Sequence, residues 1–259
     1  MRPQAEAALA AVEGALRLAA SRVGADRITS KGGRDLATDT DVAAEDLIRT
    51  ELASRYPDYV VVGEERGGEP GDRPYWLVDP ICGTRNFASE LPVYAINVAL
   101  VEDGEVTLSV VGNGANADRY VAERGRGSWL FGPGGRRALR ASDASDTISL
   151  DVGYAAGGPH RLRAAEFTRA AILANRWYLR ILGSSIAFAY VAAGQVSAHL
   201  LFKSDPVHTA AGCLLASEAG AIVTDLEGRP WDLATRAFLL AATPELHRDL
   251  LGLAATSVP

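Results

Sequence analysis

Three acidic places stand out in this 259-residue chain. Asp39 and Asp41 sit in "TDTD" ahead of an amphipathic run, Glu64 and Glu65 close the apolar stretch "YVVVGEE", and Asp79 closes "YWLVDP". Carboxylates at the ends of neighbouring strands can converge on a hard cation such as Mg2+, which takes oxygen ligands and shares phosphate oxygens. Directly after Asp79 comes the turn "PICGT", whose Gly83 and Thr84 can present backbone N–H groups to an anion at a helix start. Taken singly, each acid reads more readily as a solvated helix cap or turn residue; together they suggest a site. One residue breaks the pattern. Cys82, a thiol, stands in the middle of the loop.

The elements that must position these groups follow from periodicity. Residues 4–22 and the stretch "DTDVAAEDLIRTELASRYP" repeat apolar residues at helical spacing, the second stopping at Pro57. Short β-branched runs mark strands at "YVVVGEE" and "PYWLVDP", two more around the turn Glu102-Asp103-Gly104, and a hairpin in "RYVAERGRGSWLFGP". The polar, turn-rich "GPGGRRALRASDASD" predicts a boundary between an N-terminal lobe over 1–140 and a C-terminal lobe over 141–259. Strands and helices then alternate, with a helix "VHTAAGCLLASEAGA" entered just after Pro206 and ended by Gly220. That alternation predicts an α/β fold of layered sheets with helices between or outside them.

Composition bounds the function. With 48% hydrophobic and 22% charged residues the chain can bury a sizeable core, and a net charge of −6 argues against a nucleic-acid partner. No run of eighteen apolar residues occurs, so no membrane partner is expected. The only cysteines are Cys82 and Cys213, which is no disulfide framework and predicts a reducing, cytoplasmic location. Lysine occurs only at Lys31 and Lys203.

"GEE" at 63–65, "WLVDPICGTRNF" at 76–87, "AAGCLLASEAGAIVTDLEGRPWD" at 210–232 and "TDTD" at 38–41 resemble the signatures of the inositol monophosphatase superfamily. The resemblance implies a layered αβαβα sandwich, a homodimer, and Mg2+-dependent hydrolysis of phosphomonoesters. It places metal-ligand roles on Glu64, Asp79 and the backbone carbonyl of Ile81, and puts Asp41 near the attacking water and a weaker metal. Gly83 and Thr84 match the phosphate-receiving turn, and Ser184 and Ser185 after Gly183 match a turn bordering the substrate. Lys31 falls near a family lysine at the site entrance.

The same resemblance exposes three departures. Cys82 stands where the loop's second aspartate is expected, His208 where a later metal-binding aspartate is expected, and Leu201 where an acid commonly contacts a polyol hydroxyl. The two replaced aspartates bind one ion in the family, so Cys82 and His208 are expected to face each other. A thiol beside an imidazole suggests a cysteine–histidine enzyme, with Cys82 as nucleophile, His208 as base, and Asp79, Asp41 or Asp205 orienting the imidazole. On this reading Gly83 and Thr84 form an oxyanion hole, Ser184 and Leu201 line the substrate site, and no metal cofactor is expected. The substrate would be a small or carrier-linked acyl or thioester compound in a biosynthetic pathway. The alternatives are a phosphomonoesterase whose remodelled site holds Mg2+ or Zn2+, and a non-catalytic relative that binds an anionic ligand or a protein. Cys213 reads as core, the four tryptophans as core or interface, and His199 as structural or cleft-lining.

Overall fold

The chain begins with an alanine-rich helix because Ala5, Ala8, Ala11, Val12, Ala15 and Leu16 recur on one face, all buried. In the computed structural model this is α1 (Pro3–Ala20), followed by a hairpin of β1 (Ile28–Gly32) and β2 (Asp35–Thr38) and by α2 (Asp39–Arg55). Described are residues 1–24, 28–32, 35–153 and 158–255, with backbone alone at residues 31, 32 and 35, so the site-entrance expectation for the Lys31 side chain lies outside them. Asp39 and Asp41 do not precede the second helix but form its first turn. Thr38 is the N-cap, and its side chain and that of Asp41 close a capping box.

The seven-stranded sheet runs β3 (Val60–Gly63), β4 (Tyr75–Cys82), β5 (Ala95–Glu102), β6 (Glu105–Asn113), β7 (Arg119–Glu123), β8 (Gly127–Gly132) and β9 (Gly135–Ala138) in spatial order. β3 and β4 are parallel and the other pairs antiparallel. Asp103 and Gly104 take positive φ in the β5–β6 turn, as a tight hairpin requires. β9 falls inside the segment expected to be a polar linker: its exposed residues carry no apolar alternation, and only pairing with β8 makes them a strand. After β4 comes the one-turn helix α3 (Thr84–Ala88).

A five-stranded sheet takes the order β11 (Tyr178–Ile181), β10 (Thr147–Asp151), β12 (Ala198–Leu201), β14 (Phe238–Ala241), β13 (Ile222–Thr224). The remaining helices are α4 (Pro159–Ala174), α5 (Ile186–Ala192), α6 (Pro206–Glu218) and α7 (Pro244–Ala255). Five layers result. α1 and α2 pack on one face of the large sheet through Val12, Leu16, Ile48, Trp76, Val98 and Val110. α5 and α6 lie against its other face through Ile186, Ala189, Ala211 and Leu214. Those same helices turn Phe188, Cys213 and Ala216 to the small sheet, whose far side is covered by α4 and α7. The layered αβαβα sandwich anticipated from the motifs is therefore the fold. Among the described residues no helix is long and apolar enough to cross a membrane.

Candidate active site

β4 is buried along nearly its whole length, and its pairing with β5 is interrupted between Asp79 and Cys82. This bulge re-aims the strand end. Gly83 then takes φ +107°, a left-handed conformation that favours glycine; a Cβ there would also lie 2.9 Å from the Val93 carbonyl oxygen. The chain thereby turns sharply into α3 with Asp79, Ile81, Cys82 and Thr84 around one point.

α2 brings Asp41 to that point. Its Oδ1 accepts a hydrogen bond from the Thr84 hydroxyl at 3.0 Å, and the Ile81 carbonyl lies 3.1 Å from the same hydroxyl. Asp41 is fully buried. Burial lifts its carboxyl to about 6, against the hydrogen bonds from Thr38 and Thr84 and with a further push from the charge of Glu65.

His208 enters from the first turn of α6. Its Nδ1 lies 2.7 Å from Asp79 Oδ2 and 3.8 Å from Glu64 Oε2, with 22% of its side chain exposed. Burial opposes charging the ring, but the charge and hydrogen bond of Asp79 outweigh it and raise its pKa well above the usual histidine value. Asp79, not Asp41 or Asp205, orients this imidazole. Asp205 is the α6 N-cap residue, its side chain largely exposed near Arg236.

Cys82 is brought beside His208, as expected, but not as an activated thiolate. It is 6% exposed, and Ser185 N–H donates to its sulfur at 3.3 Å. Burial first and the Asp79 charge second push the thiol up to about 12, against weaker help from His208 and Ser185. The carboxylate that holds the imidazole therefore disfavours an anionic sulfur next to it. Ser184 donates to the Cys82 carbonyl at 2.7 Å, so it braces the loop. Leu201 is 7% exposed and packs with Phe188, Cys213 and Phe238. His199 lies in the core, 2.8 Å from Ser149 Oγ through Nδ1.

Sequence reasoning missed the residue that holds the Glu64 turn. Glu45, fully buried on α2, accepts from the N–H of Glu65 at 2.6 Å and of Arg66 at 3.1 Å, and from Arg49 Nε at 2.8 Å. Its one sequence signal was a glutamate four residues before Arg49, which a solvated ion pair explains equally well. Asn97 is a second omission: it donates to Ser185 Oγ at 2.8 Å from within β5.

The model of the inositol monophosphatase family matches residues 1–258. The chain belongs to this family. It is 32% identical over 228 residues to an inositol-1-monophosphatase of Mesorhizobium japonicum, covering 87% of this chain and 85% of that one. It is also 34% identical over 204 residues to the Nus factor SuhB of Xylella fastidiosa, covering 78% and 73%. Among solved structures, an IMPase of Thermotoga maritima superposes with a TM-score of 0.85 at 29% identity, over 96% of each chain. The fold family is thus a phosphatase family.

Membership overturns the acyl-transfer expectation, and the physical reason lies at Cys82, a buried thiol that burial and the charge of Asp79 push up to about 12. The expectations of a transferase and of catalysis without a metal fall with it. A divalent ion also fits an observation at the site. Asp79 Oδ1 is buried without a hydrogen-bond partner, on the carboxylate whose other oxygen meets His208. Such an orphaned oxygen costs about 1–3 kcal/mol when nothing satisfies it.

Proposed function

We propose that this protein is a metal-dependent phosphoric monoester hydrolase acting on inositol phosphates or sugar phosphates. The observation that carries this reading is the Thr84–Asp41 hydrogen bond at 3.0 Å, set beside Asp79 and the Glu64 turn. A hydroxyl donating to Asp41 keeps a lone pair free to accept from water, so Thr84 can hold a nucleophilic water and pass its proton on. Asp41, lifted to about 6, is ionised near neutral pH and basic enough to take that proton. The backbone N–H groups of Gly83 and Thr84 receive the phosphoryl oxygens. Asp79, Glu64, the Ile81 carbonyl, Cys82 and His208 are the groups that would hold a divalent ion. When bound, such an ion neutralises phosphoryl charge and makes a nearby water more acidic.

Leu201, expected to line the substrate site, is packed into the core instead and offers the alcohol side of the substrate no hydroxyl acceptor. Selectivity for one polyol is therefore expected to be low. A cytoplasmic site of action accords with two free, buried cysteines. A homodimer accords with the exposed apolar residues Ile172, Leu173, Tyr178 and Ile181 near the β11 edge.

The test is phosphate release from a panel of inositol and sugar monophosphates, with Mg2+, Mn2+ or Zn2+ added to chelator-treated protein. Release is expected with an added ion, and loss of it in Thr84→Val. No release from any ester under any ion would overturn the reading.

A further inference from the structure

Magnesium binds near-octahedrally to oxygen ligands and gives up its waters reluctantly. The centre of this site is not an oxygen cage. Among the described residues, one group of histidine, cysteine and acid side chains is close enough to share an ion: Asp79, Cys82 and His208, whose ligand atoms all lie within 4.8 Å of one another. The set contains one carboxylate, one sulfur and one imidazole. Sulfur and imidazole favour zinc and its borderline neighbours over magnesium, and three protein ligands with an open fourth position is the pattern of catalytic zinc.

A second observation points the same way independently of donor type. Asp79 is fully buried and its Oδ1 has no partner, while the neighbouring groups of the loop are engaged: Ser184 with the Cys82 carbonyl, Ser185 N–H with its sulfur, Thr84 with Asp41. Zinc bond lengths imply ligand atoms about 3.3–3.8 Å apart in a tetrahedral site. The 2.7 Å contact between His208 and Asp79 must open by under about 1 Å to reach that range, which side-chain rotation supplies. The exposed edge of His208 gives the ion a route in.

We infer that this chain binds one thiophilic divalent ion, zinc in class, through Cys82, His208 and Asp79, at a position where its relatives use magnesium. The ion's catalytic use rests on the phosphatase reading; its binding does not. The substitutions at Cys82 and His208 are then a matched exchange of one donor set for another. Glu64, 3.8 Å from His208, stays on the rim as a carboxylate able to pair with the same ion or with the ring.

The test uses the full chain, stripped with chelator and titrated with Co2+ as an optical stand-in for zinc. The expected result is a sulfur-to-cobalt charge-transfer band in the near ultraviolet at one ion per chain. Zn2+ should abolish it, and a large excess of Mg2+ should leave it intact. Cys82→Ser should remove the band, and His208→Ala should weaken Zn2+ binding by more than the roughly 10–100-fold that changes outside the ligand set produce. Circular dichroism checks that each variant folds, and intact-mass measurement under native conditions gives ion stoichiometry for the wild type without any substitution. Displacement of Co2+ by equimolar Mg2+, a band that survives in Cys82→Ser, or a wild type that takes up no Co2+ or Zn2+ would each overturn the inference. The band with no phosphate release from any ester would sustain the ion site and sink the phosphatase reading. Magnesium-dependent release with no band would do the opposite.

Discussion

Lowering the pH should destabilise this protein through the buried His199 on β12. The ring is 2% exposed, flanked edge-on by Phe188 at 5.0 Å, with Ser149 as its hydrogen-bond partner. Burial lowers its pKa to about 3, and the Ser149 contact offsets a part of that shift. In the unfolded chain the ring returns to about 6.5. The unfolded state therefore binds the extra proton first, and stability falls as pH drops below about 6.5, continuing until the folded pKa is passed. With those two values the loss is about 0.7 kcal/mol between pH 7 and pH 6, and about 2 kcal/mol by pH 5. Asp41 works against it. Its folded pKa is raised, so its contribution is fully present below about 3.8 and lost as pH rises through about 6. The wild-type curve alone thus mixes two opposite slopes, and the observable is a difference. His199→Asn keeps a polar group near Nδ1 and removes the titration. Urea unfolding of both proteins at pH 7, 6 and 5, with chelator present, should show the wild type losing about 2 kcal/mol more than the variant across the range. The variant's own offset from lost packing does not matter to the slope. Parallel curves would refute the reasoning, since they would mean that His199 gains its proton inside the fold without penalty.

Other outcomes are equally definite. If Asp41 takes the proton from water through Thr84, kcat/KM should rise with pH through about 6, and Asp41→Asn should remove most activity together with that limb; a pH–rate profile decides it. Gly63→Ala would put a Cβ 2.0 Å from Glu45 Oε1, and should cost about 1–3 kcal/mol in urea unfolding while loosening the Glu64 turn. A near-neutral result there would show that Glu45 does not anchor the turn. The double substitution Cys82→Asp, His208→Asp returns the centre to oxygen ligands, so competition binding should show preference moving from Zn2+ to Mg2+; unchanged preference would count against these two side chains as ligands.

Much of this is legible in the sequence, and the reason is local. β4 is a near-continuous apolar run ending in Asp79, and the positive φ of Gly83 is what a strand-to-helix turn of that kind needs, so the loop could be placed from its letters. The helix α2 announced itself through its opening acids and the stop at Pro57, and α6 through Pro206 at its start. β9 did not, because Gly135–Ala138 is exposed throughout and owes its strand form to a neighbour. The proximity of Cys82 and His208, 126 positions apart by number, came from family resemblance, since no periodicity links them. What that proximity does chemically was misjudged. The missing fact was the burial of Cys82, which with the charge of Asp79 pushes its thiol up, and which no spacing encodes.

The middle layer has one more consequence. α6 presents Ala211 and Leu214 to the large sheet and Cys213 and Ala216 to the small one, so it is lodged between two cores. Asp79 and Cys82 belong to the first sheet, while His208 rides on that shared helix. The three side chains come together only while the layers stay docked. Anything that pulls them together must also resist separation of the layers, in the way that a ligand bound to the native state alone raises its stability. The site is in this sense a clasp across a seam: loosening the sandwich opens it, and filling it tightens the sandwich.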